Sequence, residues 1–238
     1  MGLEDWKDVI GNTATVCAIG MFLSGLEICL KLYKTKTSGD LSPMSFLVGI
    51  VMTFVWVNYG ILIDDANVIN VNGAGFILQS FYIVFFYVYA VNKTNLMKKI
   101  ILVVLILVSV HVYITYGVNV TQNIGFFAAG LSVAYCGAPL AAINHVIRTK
   151  SANTLPFFLI LMTTIVTGLW TVYGTILQDS FIKIPNFLGF LIAVLQLSLF
   201  FYYPVTTIPP KNSPMMDEVP LILICEPEIS QEEKTLKP

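Results

Sequence analysis

The sequence predicts an all-α membrane protein: seven transmembrane helices, arranged as two parallel three-helix repeats joined by a linker helix. Three observations lead to this prediction. Of the 238 residues, 56% are hydrophobic and only 11% are charged, whereas soluble domains carry roughly 25% charged residues. The charged residues form short clusters, and the stretches between them have the length of membrane-spanning helices, about 20 residues. Finally, uncommon residues of the first half recur in the second half at a fixed offset.

The charge and the cysteines exclude several classes of protein. A formal net charge of -1 does not provide the basic surface that a nucleic-acid-binding protein needs, so no nucleic-acid partner is expected. The cysteines form no CxxC pair and have no histidine at metal-ligand spacing. We therefore predict neither a disulfide framework nor a metal, and no other cofactor.

Each uncharged stretch is long enough for one spanning helix, except for residues 100–147, which hold two. The double stretch is divided near Gly117 and Asn119, because Gly and Asn favour turns. In chain order, the predicted helices span residues 9–30, 43–63, 68–91, 99–116, 124–144, 156–177 and 184–204.

The positions of lysine and arginine predict the orientation, because these residues concentrate in short cytosolic loops. Only Lys7 and Lys183 lie on one face. The other face carries Lys31, Lys34, Lys36, Lys93, Lys98, Lys99, Arg148 and Lys150. This asymmetry places the N-terminus outside the cytosol and the C-terminus inside it. We expect a multi-pass protein of the plasma membrane, with a Golgi or endosomal membrane as the alternative.

The predicted domains are a first repeat at 9–91, a linker helix within 92–118, a second repeat at 119–204, and a tail at 205–238. The tail contains six prolines, six acidic residues and few aromatic residues. Such a segment buries too little apolar surface to fold. We therefore predict that it is a disordered cytosolic tail.

A shift of 114 residues aligns the two repeats. It superimposes W-x-x-Y-G motifs that begin at Trp56 and Trp170, together with an Asp nine residues later and an Asn sixteen residues later. Other aligned pairs are Gly11 and Gly125, Lys36 and Lys150, and Thr53 and Thr167. Chance similarity between apolar helices would not reproduce uncommon residues at fixed spacings. Because three is an odd number of crossings, the additional helix gives both repeats the same orientation.

These motifs, with the N-G-x-G at residues 72–75 and the I-P-N at residues 184–186, resemble those of the SWEET sugar transporters, the MtN3/saliva family. The resemblance covers about residues 9–204. SWEETs are themselves an established example of parallel repeats with a substrate site at the repeat interface. The resemblance implies a passive, bidirectional sugar uniporter that works by alternating access and forms homo-oligomers. It does not imply an enzyme.

By resemblance, Asn72, Asn186, Trp56 and Trp170 line the substrate pocket. Their chemistry suits a sugar, because amides bond hydroxyls on the rim and an aromatic ring packs against the apolar face. A single membrane Trp more often anchors a helix at the lipid interface, and a single Asn more often bonds a neighbouring helix. Duplication at identical spacing favours the binding role.

Thr53 and Thr167 lie three residues before the tryptophans and therefore share nearly the same helix face. They are candidates either for binding the substrate or for bonding a neighbouring helix. Each buried aromatic covers on the order of 150 to 250 Å², so two indoles in one pocket leave room for about one sugar ring. The sequence therefore predicts a monosaccharide, such as glucose.

The resemblance also assigns gates. Tyr59 and Asp179 correspond to an extracellular gate pair, and Asp65 and Tyr173 are their repeat mates. The alternative is that these aspartates, together with Asp64, are solvated loop acids.

Four prolines, one in each of the first two helices of each repeat, form a cytosolic hinge in the family. Pro43, Pro139 and Pro156 match three of the positions, and Gly25 occupies the fourth. Pro139 should kink its helix in any case, because it removes a backbone hydrogen bond. Glycine does not force a kink.

Transport should be downhill, because charged residues deep in a span usually signal ion or proton coupling and the predicted spans have none. The alternative function is a PQ-loop-like transporter of amino acids in an endolysosomal membrane. Its Pro-Gln pairs are replaced here by Gly25-Leu26 and Pro139-Leu140. A seven-helix receptor would not contain this repeat, and an intramembrane enzyme would need converging catalytic residues.

Overall fold

The structure is a computed structural model that describes residues 3–203, so the predicted tail at 205–238 lies outside the described residues. Within that range the regular elements are helical, as the all-α prediction requires. A short 3₁₀ turn, Leu3–Trp6, is followed by α1 (Lys7–Phe22), α2 (Gly25–Thr35), α3 (Met44–Leu62), α4 (Ala66–Tyr89), α5 (Lys93–Tyr116), α6 (Val120–Tyr135), α7 (Gly137–Thr149), α8 (Phe157–Ile176) and α9 (Ser180–Tyr202).

Seven segments of the described chain are long and apolar enough to cross a membrane, which confirms the predicted number of spans. Two of the segments are broken helices: α1 and α2 form the first span, and α6 and α7 form the fifth. The remaining spans are single helices. The break falls in the first helix of each repeat, so it belongs to the repeated architecture.

Several helices extend beyond their predicted ends, because the prediction stops at charged residues. It ends the first span at residue 30, whereas α2 continues past Lys31 and Lys34 to Thr35. It starts the linker helix at residue 99, whereas α5 begins at Lys93. Long charged side chains near helix ends reach the membrane interface, so they lengthen a helix without placing charge in the apolar layer.

The two repeats match in individual backbone angles. Lys36 and Lys150, which directly follow α2 and α7, both have positive φ angles, 56° and 53°. Asp64 and Gln178 have φ angles of 54° and 55°, at the turn from the second to the third helix of each repeat. Positive φ is uncommon for residues other than glycine. Its recurrence 114 residues apart is independent support for a duplicated unit.

The glycine of each W-x-x-Y-G motif permits close contact with the next helix. A Cβ on Gly60 would lie 3.0 Å from the backbone N of Ile69, and one on Gly174 would lie 2.8 Å from the backbone N of Lys183. Backbone atoms cannot move aside as a flexible side chain can. The motif glycine therefore allows the second and third helices of each repeat to pack closely at this turn.

The first helix of each repeat packs against the other repeat. α1 contacts α8 as well as α4, and α6 contacts α3 as well as α9. The buried core at this interface includes Trp56, Tyr59, Trp170 and Tyr173. The linker helix α5 packs beside α3, and most of its side chains are exposed. The motif residues of both repeats consequently meet at the center of the molecule.

Candidate functional site

A cavity of about 410 Å³ lies between the two repeats, within the range of roughly 300 to 1,000 Å³ that is typical of small-molecule sites. Its walls come from α1 to α4 of the first repeat and from α6 to α9 of the second. The structure brings together the six residues that the sequence predicts for the substrate pocket: Thr53, Trp56, Asn72, Thr167, Trp170 and Asn186.

The two tryptophans occupy equivalent positions in the cavity wall. Trp56 packs edge-on against the ring of Tyr59, with centroids 5.6 Å apart, and Trp170 packs in the same way against Tyr173, at 5.4 Å. The indole N–H of Trp56 also donates to Ser132 Oγ at 3.1 Å. Only 9% of Trp56 and 8% of Trp170 is exposed. Each indole is therefore held in place by its neighbours and presents a small part of its surface to the cavity.

The two asparagines also have matching environments. Asn72 Nδ2 donates to the carbonyl of Val68 at 2.9 Å, and Asn186 Nδ2 donates to the carbonyl of Ile182 at 2.8 Å. Each bond runs to the preceding turn of the same helix and fixes the amide. A primary amide has two N–H donors and one acceptor oxygen, so each side chain keeps one donor and its oxygen for a ligand.

Neither threonine bonds a neighbouring helix. Thr53 Oγ1 donates to the carbonyl of Gly49 at 2.7 Å, and Thr167 Oγ1 donates to the carbonyl of Thr163 at 2.7 Å. Because the single hydroxyl proton is used within the helix, each threonine can offer a ligand only an acceptor lone pair. Bonding to a neighbouring helix, one of the two alternatives for these residues, is therefore wrong in this structure.

Two hydrogen bonds between the repeats close one end of the cavity. Tyr59 donates to Asp179 Oδ2 at 2.6 Å, and Tyr173 donates to Asp65 Oδ2 at 2.7 Å. The other oxygen of each carboxylate accepts from backbone N–H groups at the start of its own helix, α4 or α9. Asp65 and Asp179 are therefore bonded between the repeats and are not free loop acids, whereas Asp64 is exposed, as the alternative expects. Tyr59, Asp65 and Asp179 line a second pocket and do not line the cavity. Because Tyr59 packs against Trp56 of the cavity wall, this pair of bonds lies between the two spaces.

The two closing bonds have different surroundings. Tyr173 Oη also accepts a hydrogen bond of 3.1 Å from Asn67 Nδ2, and Thr15 Oγ1 donates to Asn67 Oδ1 at 3.3 Å. The repeat mate of Asn67 is Phe181, whose ring packs edge-on against Tyr59, with centroids 5.9 Å apart. One tyrosine is therefore held by a polar network and the other by an aromatic contact.

Comparison with known proteins identifies the family of this chain. Residues 8–95 and 122–207 match the MtN3_slv family model, described as "Sugar efflux transporter for intercellular exchange". The Sugar transporter SWEET1 of Drosophila pseudoobscura pseudoobscura is 36% identical over 202 residues, which are 83% of this chain and 89% of that protein. The chain belongs to the SWEET family.

Other SWEET proteins support this assignment. The Sugar transporter SWEET1 of Caenorhabditis elegans is 30% identical over 85% of this chain and 68% of that protein. A eukaryotic SWEET transporter structure solved at 3.7 Å superposes with a TM-score of 0.79 at 27% identity, covering 84% of this chain and 98% of that chain. The predicted fold and the predicted SWEET resemblance are both confirmed.

The predicted hinge positions of this SWEET chain do not all lie within helices. Pro43 and Pro156 directly precede α3 and α8, whereas the predicted helices include both prolines. A proline there removes no intrahelical hydrogen bond. Pro139 lies in the first turn of α7, just after the break at Cys136. Gly25 is the first residue of α2, just after the break in the first span.

The break at Gly25 is held by a side chain from another helix. A Cβ on Gly25 would overlap the ring of Tyr82, whose hydroxyl donates to the carbonyl of Phe22 at 3.0 Å. The last carbonyls of a helix have no regular intrahelical partner, so this bond stabilises the end of α1. The repeat mate of Tyr82 is Gln196, whose Nε2 donates to the carbonyl of Pro139 at 3.4 Å. Both repeats therefore bond the broken helix from the same position of their third helix.

We expect Gly25→Ala to destabilise the protein, because the added methyl group would displace the Tyr82 ring. Overpacking of this kind typically costs about 1 to 3 kcal/mol. Gly20→Ala is the matched control in the same span, since a Cβ there meets nothing within 4 Å. Thermal unfolding of the purified proteins in detergent measures the difference. Equal unfolding temperatures for the two variants would contradict the packing argument, and adding Tyr82→Leu should recover part of the loss.

Sequence reasoning missed several polar residues of the cavity. Ser132, Gln79 and Gln196 all line it, but their repeat mates are Ala18, Ala193 and Tyr82. A search for residues duplicated between the repeats discards them for that reason. The sequence does contain another signal for the two glutamines. A glutamine within an apolar span costs free energy to insert in the membrane, which suggests a specific role.

Proposed function

We propose that the chain is a passive, bidirectional uniporter for monosaccharides, which works by alternating access with the sugar bound between the repeats. The observation that supports this most directly is the cavity, where equivalent asparagines and tryptophans from both repeats line one space. Similarity to proteins named sugar transporters gives the substrate class. Indoles from both repeats, Trp56 and Trp170, line this space and favour a single sugar ring.

The proposed binding mode follows from the side-chain chemistry. Asn72 and Asn186 each use one N–H on their own helix and offer the other N–H and the oxygen to sugar hydroxyls. Trp56 and Trp170 offer apolar ring surface to the C–H face of the sugar. A ligand with hydroxyls on its rim and apolar hydrogens on its face matches this combination of groups.

The closed end suggests how the repeats move. The bonds from Tyr59 to Asp179 and from Tyr173 to Asp65 both cross between the repeats, so separating the repeats at this end must break both. Each carboxylate would remain attached to its own helix through the second oxygen. At the other end, the cavity wall includes Gly25 and Pro139, next to the helix breaks. Closing that end while the tyrosine end opens would give alternating access.

The lining of the cavity supports downhill transport. Within the described residues, its wall contains no Asp, Glu, Lys, Arg or His. Proton and ion coupling usually require an ionisable group in the pathway. We therefore propose that sugar moves only along its own concentration gradient.

For the orientation, the membrane and the assembly of the protein, we propose what the sequence predicts. The N-terminus and the tyrosine end would face away from the cytosol, and Gly25 and Pro139 would face the cytosol. The plasma membrane is the proposed location, with Golgi or endosomal membranes as the alternative, and a homo-oligomer is the proposed assembly. Epitope tags at either terminus, probed in intact and permeabilised cells, test the orientation.

We expect glucose uptake in a hexose-transport-deficient host to stop when the inner concentration equals the outer one. Preloaded cells should release glucose at a similar rate, because the transporter is bidirectional. The measurement is a time course of labelled glucose uptake with and without a protonophore. Accumulation above the outer concentration that collapses with the protonophore would contradict the proposal, and transport of amino acids instead of glucose would favour the PQ-loop alternative.

A further inference from the structure

Gln79 has an unusual position in the cavity. It lies on α4 seven residues after Asn72, hence two turns later on the same face of the helix, and both side chains line the cavity. Gln79 is only 9% exposed. Among the described residues, its Oε1 is the one buried side-chain nitrogen or oxygen that has no hydrogen-bond partner. Buried polar groups are nearly always bonded, so this carboxamide needs an explanation.

The side chain of Gln79 packs against α3 at Gly49. A Cβ on Gly49 would lie 2.8 Å from Gln79 Cδ and 2.9 Å from its Nε2, so the absence of a side chain on Gly49 creates the space for the carboxamide. The repeat mates of this pair are Thr163 and Ala193, where the larger side chain is on the other helix. At this pair of positions, therefore, the first repeat has a carboxamide and the second has the methyl group of Ala193.

The neighbouring polar groups already have protein partners. The hydroxyl of Tyr82 donates to the carbonyl of Phe22, and Gln196 Nε2 donates to the carbonyl of Pro139. These bonds hold the helix breaks. The carboxamide of Gln79 contributes to neither break, so its polar atoms remain free for a ligand.

We propose that the carboxamide of Gln79 binds a hydroxyl of the sugar at a second position, about 10 Å along α4 from Asn72 toward the end lined by Gly25 and Pro139. This inference rests on the proposed function. A sugar that leaves the asparagines toward that end passes Gln79. Because Oε1 is enclosed by protein atoms in this conformation, the carboxamide turns toward the cavity when the sugar binds. A hydroxyl is then a suitable partner, because it can donate to Oε1 and accept from Nε2.

The test compares wild-type protein, Gln79→Met and Gln79→Asn in uptake of glucose and of its deoxy analogues, each lacking one hydroxyl. Methionine has a similar shape without the polar atoms, and asparagine withdraws the amide by one methylene. We expect roughly 5- to 150-fold lower glucose uptake at subsaturating concentration, the usual effect of leaving a bonded group without its partner. The loss should disappear for the analogue that lacks the bound hydroxyl. Gln122→Met, at an exposed site outside the cavity, is the matched control and should retain wild-type uptake.

Thermal unfolding separates binding from folding. Because methionine removes a buried polar group without a partner, Gln79→Met should unfold at a temperature no lower than wild type. If the Gln79 variants lose uptake equally for glucose and for every analogue, the inference is overturned. Gln79 would then bond another protein group in a different conformation. Unchanged uptake in both variants would also overturn it. Absence of uptake by the wild-type protein would instead contradict the proposed function.

Discussion

Replacing Asn72 or Asn186 with alanine should lower sugar flux by roughly 5- to 150-fold while the protein remains folded and at the membrane. Each amide retains one N–H and its oxygen for the ligand, and each substitution removes both. Leaving the sugar hydroxyls without partners in a closed cavity costs about 1 to 3 kcal/mol, or roughly 5- to 150-fold in binding, for each amide. Uptake of labelled glucose, normalised to surface protein, measures the effect.

Asn58 provides the matched control for this prediction. Its Nδ2 donates to the carbonyl of Phe54 at 2.8 Å, the same bond to the preceding helical turn that Asn72 and Asn186 make, but it is not part of the cavity wall. Asn58→Ala should therefore keep near-wild-type flux. Normal flux in Asn72→Ala or Asn186→Ala, or an equal loss in all three variants, would contradict the assignment of the asparagines to sugar binding.

The architecture could be predicted from the sequence because two patterns extend along the whole membrane region and do not depend on which residues pack together. The charged clusters divide the chain into spans whatever the local packing, and the count of seven follows from them. The W-x-x-Y-G motif recurs with its Asp and Asn, and the structure gives them matching bonds: each tyrosine donates to the aspartate of the other repeat, and each asparagine donates to the preceding turn of its own helix. The sequence alone did not predict the pairing of the tyrosines with the aspartates, because the pair of Tyr59 and Asp179 came from the family resemblance.

The features that the sequence did not predict depend on contacts between distant residues. The break before Gly25 is not encoded by a proline, and it depends on Tyr82, which follows 57 residues later in the chain. The space for Gln79 depends on the missing side chain of Gly49 in another helix. The break recurs in both repeats, but its side-chain partner is Tyr82 in one and Gln196 in the other, and the mate of Gln79 is Ala193. The search for duplicated residues that selected the asparagines therefore gave no indication of these contacts.

We expect Trp56→Ala to change the selectivity of the cavity. Loss of the indole removes a surface that we propose packs against the sugar. Aromatic contacts contribute about 0.5 to 1.5 kcal/mol, which corresponds to roughly 2- to 12-fold weaker glucose handling. The space left by the ring should also admit a second sugar ring. We therefore expect sucrose uptake in Trp56→Ala and none in the wild-type protein, with Trp56→Ser behaving in the same way.

Two controls separate this effect from a loss of folding. Trp56 is 9% exposed, and truncating a buried tryptophan typically costs about 3 to 5 kcal/mol of stability, so glucose and sucrose uptake must both be normalised to folded protein at the surface. Ser132→Ala removes the hydrogen bond to the indole N–H but keeps the ring, and should preserve the exclusion of sucrose. Robust sucrose transport by the wild-type protein would contradict the size argument. Unchanged glucose kinetics in Trp56→Ala would show that the indole only packs the helices, because the ring would then contribute nothing to binding.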